Sequence, residues 1–165
     1  VAGVDLSGQM VWRFKAKRAV TSSPIEHDGL VYFGSMDWHV YALDIVHGWK
    51  VWAFRTNKPV VSSPALGDDK LFIGSVDGSL YALDLSSGKE RWSFKTGGQI
   101  TSSPAYENNA VYFGGIDTNV YSVDAKSGRL RWSFKTGGPV PSSPALHDGV
   151  LYIGSMDHCV YALKA

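Results

Sequence analysis

Arg91-Trp92-Ser93-Phe94-Lys95, Ile100 to Tyr106, Ala110-Val111-Tyr112-Phe113-Gly114 and Val120-Tyr121-Ser122-Val123 follow one another along the chain as four short strand-like segments. The first alternates polar and aromatic residues, the period of two expected of a strand with one packed face. Thr96-Gly97-Gly98, Glu107-Asn108-Asn109 and Ile116-Asp117-Thr118-Asn119 interrupt the pattern as turns. Pro104 removes a ladder donor from the second segment, which predicts an unpaired edge for that strand, as on the channel side of a blade. Helical periodicity is absent throughout. These residues predict an up-and-down, all-β sheet of four strands.

The same pattern is written four times at a spacing of forty residues. Trp12, Trp52, Trp92 and Trp132 recur at that step, each followed two places on by Phe14, Phe54, Phe94 or Phe134. Ser-Ser-Pro recurs with Pro24, Pro64, Pro104 and Pro144. Gly34, Gly74, Gly114 and Gly154 keep the step, as do Asp37, Asp77, Asp117 and Asp157, and Tyr41, Tyr81, Tyr121 and Tyr161. Short strands in a repeat of about forty residues predict a β-propeller of four-stranded antiparallel blades. Residues 1–165 read as one domain of four blades, either half of an eight-bladed ring or a closed four-bladed ring. A residue present in every copy belongs first to the frame of the repeat.

Bulk composition excludes several classes. A hydrophobic content of 44% with 19% charged residues describes a globular chain. The net charge of +1 gives no electrostatic case for nucleic acid or an anionic membrane, and no apolar run reaches spanning length. The single cysteine, Cys159, rules out an intrachain disulfide and reads as a small buried thiol at the start of the last strand. The chain opens on Val1 without the features of a signal peptide, consistent with a mature or excised piece.

The segment between the last strand of one copy and the next Trp carries a finer pattern. It reads Ala82-Leu83-Asp84, Gly88, Trp92, and again Ala42-Leu43-Asp44, Gly48, Trp52 and Ser122-Val123-Asp124, Gly128, Trp132. This resembles the tryptophan-docking motif of the pyrroloquinoline-quinone (PQQ) repeat propellers, the quinoprotein dehydrogenase-like superfamily. The resemblance implies that Trp12, Trp52, Trp92 and Trp132 wedge between adjacent blades while Asp and Gly fix the turn. The chain departs from the pattern at Ser87, Ser127 and His47, where Thr is usual, and at Lys164, where Asp is expected. The turn from Asp5 to Gly8 is one residue shorter than its counterparts.

Candidate chemistry is sparse. The four repeated aspartates could form a carboxylate ring, but each sits in a hairpin turn where Asp bonds its own backbone, so a structural role is expected. His27, His39, His47, His147 and His158 share no metal-ligand spacing, and no metal or cofactor is expected. Binding is sought instead where the copies disagree. After the Asp turn they read Trp38-His39, Gly78-Ser79, Thr118-Asn119 and His158-Cys159, and before Ser-Ser-Pro they carry Lys17-Arg18, Lys58 and Gln99. Both sets of tips fall at one end of an up-and-down propeller. Trp38, His39, Lys17, Arg18, Lys58, Gln99, Thr118, Asn119 and His158 are therefore the candidate binding residues. Trp49, in a turn at the opposite end, breaks the pattern set by Lys89 and Arg129.

The expected function is a non-catalytic binding or assembly module. The family resemblance implies a periplasmic or cell-surface location, since its cofactor-free members include the outer-membrane assembly lipoprotein. The alternatives are part of a PQQ-dependent dehydrogenase, which in that family holds the quinone with calcium and a catalytic Asp, or an engineered repeat. Many such dehydrogenases carry adjacent disulfide-bonded cysteines, and this chain has none. The expected partner is a second copy, two chains forming a homodimer with one eight-bladed ring, alongside possible protein ligands at the loop tips.

Overall fold

The computed structural model describes residues 1–165, and every regular element in it is a strand. The chain opens on β1 (Ala2–Val4) and β2 (Met10–Arg13), which pair with each other. Blade one follows as β3 (Ile25–His27), β4 (Leu30–Ser35), β5 (His39–Asp44) and β6 (Lys50–Arg55). Blade two is β7 (Ala65–Gly67), β8 (Lys70–Gly74), β9 (Ser79–Asp84) and β10 (Glu90–Lys95). Blade three is β11 (Ala105–Glu107), β12 (Ala110–Gly114), β13 (Asn119–Asp124) and β14 (Leu130–Lys135). The last sheet has three strands, β15 (Ala145–His147), β16 (Val150–Gly154) and β17 (Val160–Lys164). Every sheet is an antiparallel meander in chain order, as the alternation requires.

Two details differ from the sequence reading. The innermost strand of each blade starts after the proline, at Ala105 in blade three, because the Ser-Ser-Pro residues are spent on other bonds. Cys159 is exposed, not buried: β17 has no strand on its outer side, whereas its counterparts β5, β9 and β13 each have one.

The Ser-Ser-Pro segment links blades. In blades one and two the first serine accepts the N–H of Gly34 or Gly74 and donates to the same residue's carbonyl, fixing the entry to its own blade. The second serine reaches across. Ser23 N–H donates to Ser63 Oγ at 2.8 Å, Ser63 N–H to Ser103 Oγ at 2.8 Å, and Ser103 N–H to Ser143 Oγ at 2.9 Å. A thread of backbone-to-side-chain bonds thus runs along the inner strands.

The core is divided into slabs between successive blades. One cluster joins Tyr32, Val40 and Trp52 to Leu71, Ile73 and Leu83, a second joins Phe72 and Leu80 to Val111 and Phe113, and a third joins Tyr112 and Val120 to Leu151 and Ile153. Glycine is needed where these slabs are thinnest: a Cβ on Gly34, Gly74 or Gly114 would fall 2.3–2.4 Å from Val60, Ile100 or Val140 of the following blade.

At the rim the indoles bridge blades. Trp12 Nε1 donates to the Ile45 carbonyl at 2.8 Å, Trp52 to Leu85 at 2.9 Å and Trp92 to Ala125 at 3.0 Å. Each ring lies flat on the turn glycine of the next blade, Gly48, Gly88 or Gly128, where an added Cβ would sit 2.6 Å from ring atoms. Those glycines have φ of +68° to +71°, a conformation that L side chains disfavour. We predict that Trp92→Ala, which removes both the packed ring and the bond, costs roughly 3–5 kcal/mol. The melting temperature should drop by about 6–20 °C in thermal denaturation. An unchanged melt would mean that this contact contributes nothing to the fold.

Candidate interaction surfaces

Each blade offers its loops at two ends. The first end holds the tight turns between the second and third strands together with the crossover loops that enter each blade. The structure brings these together by one repeated device. Asp37 Oδ2 accepts the Lys17 N–H at 2.9 Å and the Tyr41 hydroxyl at 2.8 Å. Asp77 does the same with Asn57 and Tyr81, Asp117 with Gly97 and Tyr121, and Asp157 with Gly137 and Tyr161. The carboxylates of this repeated set are consumed in fastening the crossover loop to the blade that it enters. No group of three or more His, Cys, Asp or Glu side chains is arranged to hold a metal ion.

On that frame the tips vary. Position 78 of blade two is glycine with φ of +85°, and the same left-handed position holds Trp38, Thr118 and His158 at φ of 72–73° in the others. A bulky or β-branched residue there is backbone strain that a glycine would relieve. Trp38 is 38% exposed and Arg55 lies over its ring, 5.9 Å from the centroid. His39 Nδ1 donates to the Asp37 carbonyl oxygen at 2.9 Å. In blades two to four the outer carboxylate oxygen Oδ1 accepts the N–H of Ser79, Asn119 or Cys159. In blade one Asp37 Oδ1 is buried without a hydrogen bond, and faces the His39 ring nitrogen at 3.4 Å. The blade-one tip is chemically unlike the other three.

The other sequence candidates are placed as follows. Lys17, Arg18, Lys58, Gln99 and His158 are exposed on these loops, and Thr118 and Asn119 are half-buried. Asn119 turns its amide inward to the Asp117 carbonyl, which leaves it less to offer a ligand. All nine belong to the same end of their own blades.

The opposite end carries an apolar surface, of which the sequence reading singled out Trp49 alone. Trp49 is 68% exposed and stacks on His47 with centroids 4.4 Å apart. Around this turn and its neighbour Leu6, Met10, Val11, Ile45, Val46 and Val51 are exposed. In blades two and three the places of Val51 are taken by Arg91 and Arg131, whose guanidinium groups pair with Asp84 and Asp124. In blade one His47 takes over that role for Asp44, at 2.9 Å. The signal was present in the repeat alignment, as Val11 and Val51 against Arg91 and Arg131.

The frame carboxylates define an acid limit. Burial alone would raise the Asp37 and Asp77 carboxyls, yet the N–H and hydroxyl donors outweigh it and hold both below the ordinary value. The Tyr161 hydroxyl leads the groups that bring Asp157 down to about 2. Ser86, Ser87 and Arg91 keep Asp84 well below the carboxylate range, and Arg131 with Ser127 does so for Asp124. A carboxyl depressed by folding stabilises fully above its unfolded pKa of about 4, and that contribution disappears as pH falls through the folded value. We therefore expect a melting temperature that is flat between about pH 7 and 5 and falls steadily below about pH 4. A melting temperature that rises on acidification from about pH 4 would contradict these carboxylate assignments.

The family described as outer membrane protein assembly factor BamB matches residues 1–100 and 76–165. No curated protein sequence matches the chain. Among solved structures, BamB from Moraxella catarrhalis superposes on 95% of the chain with a TM-score of 0.84 at 21% identity, and the chain spans 50% of its length. The computationally designed Ika4 protein is similar over 91% of this chain and 93% of its own, with a TM-score of 0.82 at 20% identity. A quinohemoprotein alcohol dehydrogenase from Pseudomonas putida HK5 is similar over 87% of this chain and 29% of its own, with a TM-score of 0.77 at 24% identity. At such identities the superpositions speak for the fold alone. The family match covers both halves of the repeat array, and the chain belongs to the PQQ-like β-propeller family described as outer membrane protein assembly factor BamB.

Proposed function

We propose that the chain is a non-catalytic scaffold for protein assembly, working at a periplasmic or cell-surface site and binding through its loop tips. The observation that carries the reading is the split between frame and tips. The repeated carboxylates and hydroxyls are engaged with one another, while the variable residues cluster at blade ends. Trp38, held in a left-handed conformation under Arg55, offers a rigid aromatic anchor with a cation beside it, the residue pairing enriched at protein interfaces. The family membership supports an assembly role, and a second copy of the chain completing an eight-bladed ring is the partner included in this reading. A photo-crosslinking residue placed next to the tip, at Lys58, should capture a discrete envelope protein. Trp38→Ala should cut that yield at least tenfold without moving the melting temperature by more than a few degrees. Equal capture from Ser133, on the outer face of blade three, would refute a site at the tips.

The likeness to quinohemoprotein alcohol dehydrogenase favours a second reading, a fragment of a quinone enzyme. Against it stand the single Cys159 and the engagement of the repeated aspartates in the frame. Titration with PQQ and calcium, followed by absorbance and tryptophan fluorescence, should show no saturable binding at micromolar concentrations. Saturation accompanied by dye reduction with an alcohol would establish the enzyme reading.

A further inference from the structure

We propose that the blade-one tip docks an acidic peptide segment, whose carboxylates pair with Arg55, Lys58 and Arg18 around the Trp38 ring. The proposal rests on the tip-binding reading above and gives its partner a chemistry. It starts from how charge is distributed along the fold. The net charge of +1 averages over two unlike ends. At the end of the loop tips the only carboxylates are Asp37, Asp77, Asp117 and Asp157. Each is spent inside the molecule, on a loop N–H and a tyrosine hydroxyl. Every other Asp and Glu of the chain lies toward the opposite end, where Lys70, Arg91 and Arg131 form ion pairs.

The tip end carries cations without such partners. Lys17, Arg18, Arg55 and Lys58 are exposed, and none of them is held by an ion pair. Two loops bring them to one tip. Lys17 N–H reaches Asp37 Oδ2 at 2.9 Å, and Thr56, next to Arg55, donates its N–H and its hydroxyl to the Trp38 carbonyl at 2.9 and 3.0 Å. Their exposure does not come from the start of the sequence. Asn57 and Lys58 hold the places of Lys17 and Arg18 in a loop with a blade on either side, and both are exposed. In the next two crossover loops those places are Gly97-Gly98 and Gly137-Gly138. The residue at position 38 also sets where the neighbouring cation goes. In blade two Lys95 turns inward onto the Asp77 carbonyl, over a Gly78 whose added Cβ would lie 3.6 Å from its ammonium. In blade one the ring of Trp38 fills that space, and Arg55 lies over it instead.

Carboxylates are what this arrangement lacks. A guanidinium over an indole keeps its N–H fork free for a bidentate pair with a carboxylate. Trp38, 38% exposed and fixed at φ of 73°, gives an apolar residue of the same partner a firm surface beside that pair. A short segment that alternates acidic and apolar side chains satisfies both. Nucleic acid and an anionic bilayer fit less well. The loop cations stop at Lys58 and glycines follow, so a long polyanion or a flat charged surface would meet only one corner of this end.

Fluorescence anisotropy with a labelled short peptide of Asp, Glu and Phe tests the site. The chain should bind it at least tenfold more tightly than the same peptide with Asn and Gln in place of the acids. Arg55→Gln and Lys58→Gln together should weaken the acidic peptide at least fivefold, while Lys126→Gln at the opposite end leaves its affinity unchanged. Raising the salt from about 50 to 300 mM should weaken it severalfold. The melting temperature of the double variant should stay within a few degrees of the parent, which separates lost binding from lost fold. Equal affinity for the two peptides, or no saturation below about 1 mM, would overturn the proposal. Tighter binding of a single-stranded oligonucleotide or of anionic phospholipid vesicles would overturn it as well. In the crosslinking experiment, Arg18→Gln and Arg55→Gln should cut capture from position 58. Capture that depends on Trp38 but survives this neutralisation would leave the tip site standing and remove the acidic partner.

Discussion

The structure depends on the fact that no blade can bury both of its faces alone. A four-stranded sheet with Tyr32 or Tyr112 on one side and Phe33 or Phe113 on the other is stable only between two others. The Trp-to-turn contact at the rim sets how those sheets stack. It combines a flat apolar ring, a glycine with no Cβ and positive φ, and one N–H donated to a turn carbonyl of the next blade. Loss of any of the three leaves a buried polar group or a clash.

The same constraint explains why repeated polar residues are poor guides to function. Asp37, Asp77, Asp117 and Asp157 look like a reactive ring in a linear reading. In three dimensions each carboxylate holds one crossover loop and one tyrosine hydroxyl, and the pairing acts on both partners. Burial together with the neighbouring Asp77 pushes the Tyr81 hydroxyl up to about 12, while the donors hold the Asp77 carboxyl down. Such a network is a lock on the loops. It frees the adjacent position 38, 118 or 158 to vary, because the backbone path there is fixed by groups on either side. Variation on a rigid frame is the arrangement that a binding surface requires.

The candidate site was partly legible in the sequence. Disagreement among the copies pointed to Trp38 and His39 and placed their loops at one end, since up-and-down connectivity admits no other arrangement. The inward turn of the Asn119 amide and the unpaired Asp37 oxygen were not legible, because they depend on side-chain direction within a turn. The apolar rim around Trp49 was missed for a different reason. Val51 reads as an ordinary strand residue until it is seen to be exposed, as Val46 and Trp49 are. Cys159 was misjudged on similar grounds, since a strand opening is buried only if another strand lies beside it.

What the sequence determined by itself is the blade: the forty-residue period, the four strands, the turns demanded by glycine and asparagine, and the Trp and Gly that meet between blades. These are local or strictly repeated, so each copy corroborates the rest. Tertiary structure alone decided what happens at the two ends of the array. There Val1–Val4 pairs with the Trp12 strand, which local propensity alone did not show, because the pairing rests on which segment is held close enough. In this chain a short turn from Asp5 to Gly8 keeps β1 at hand.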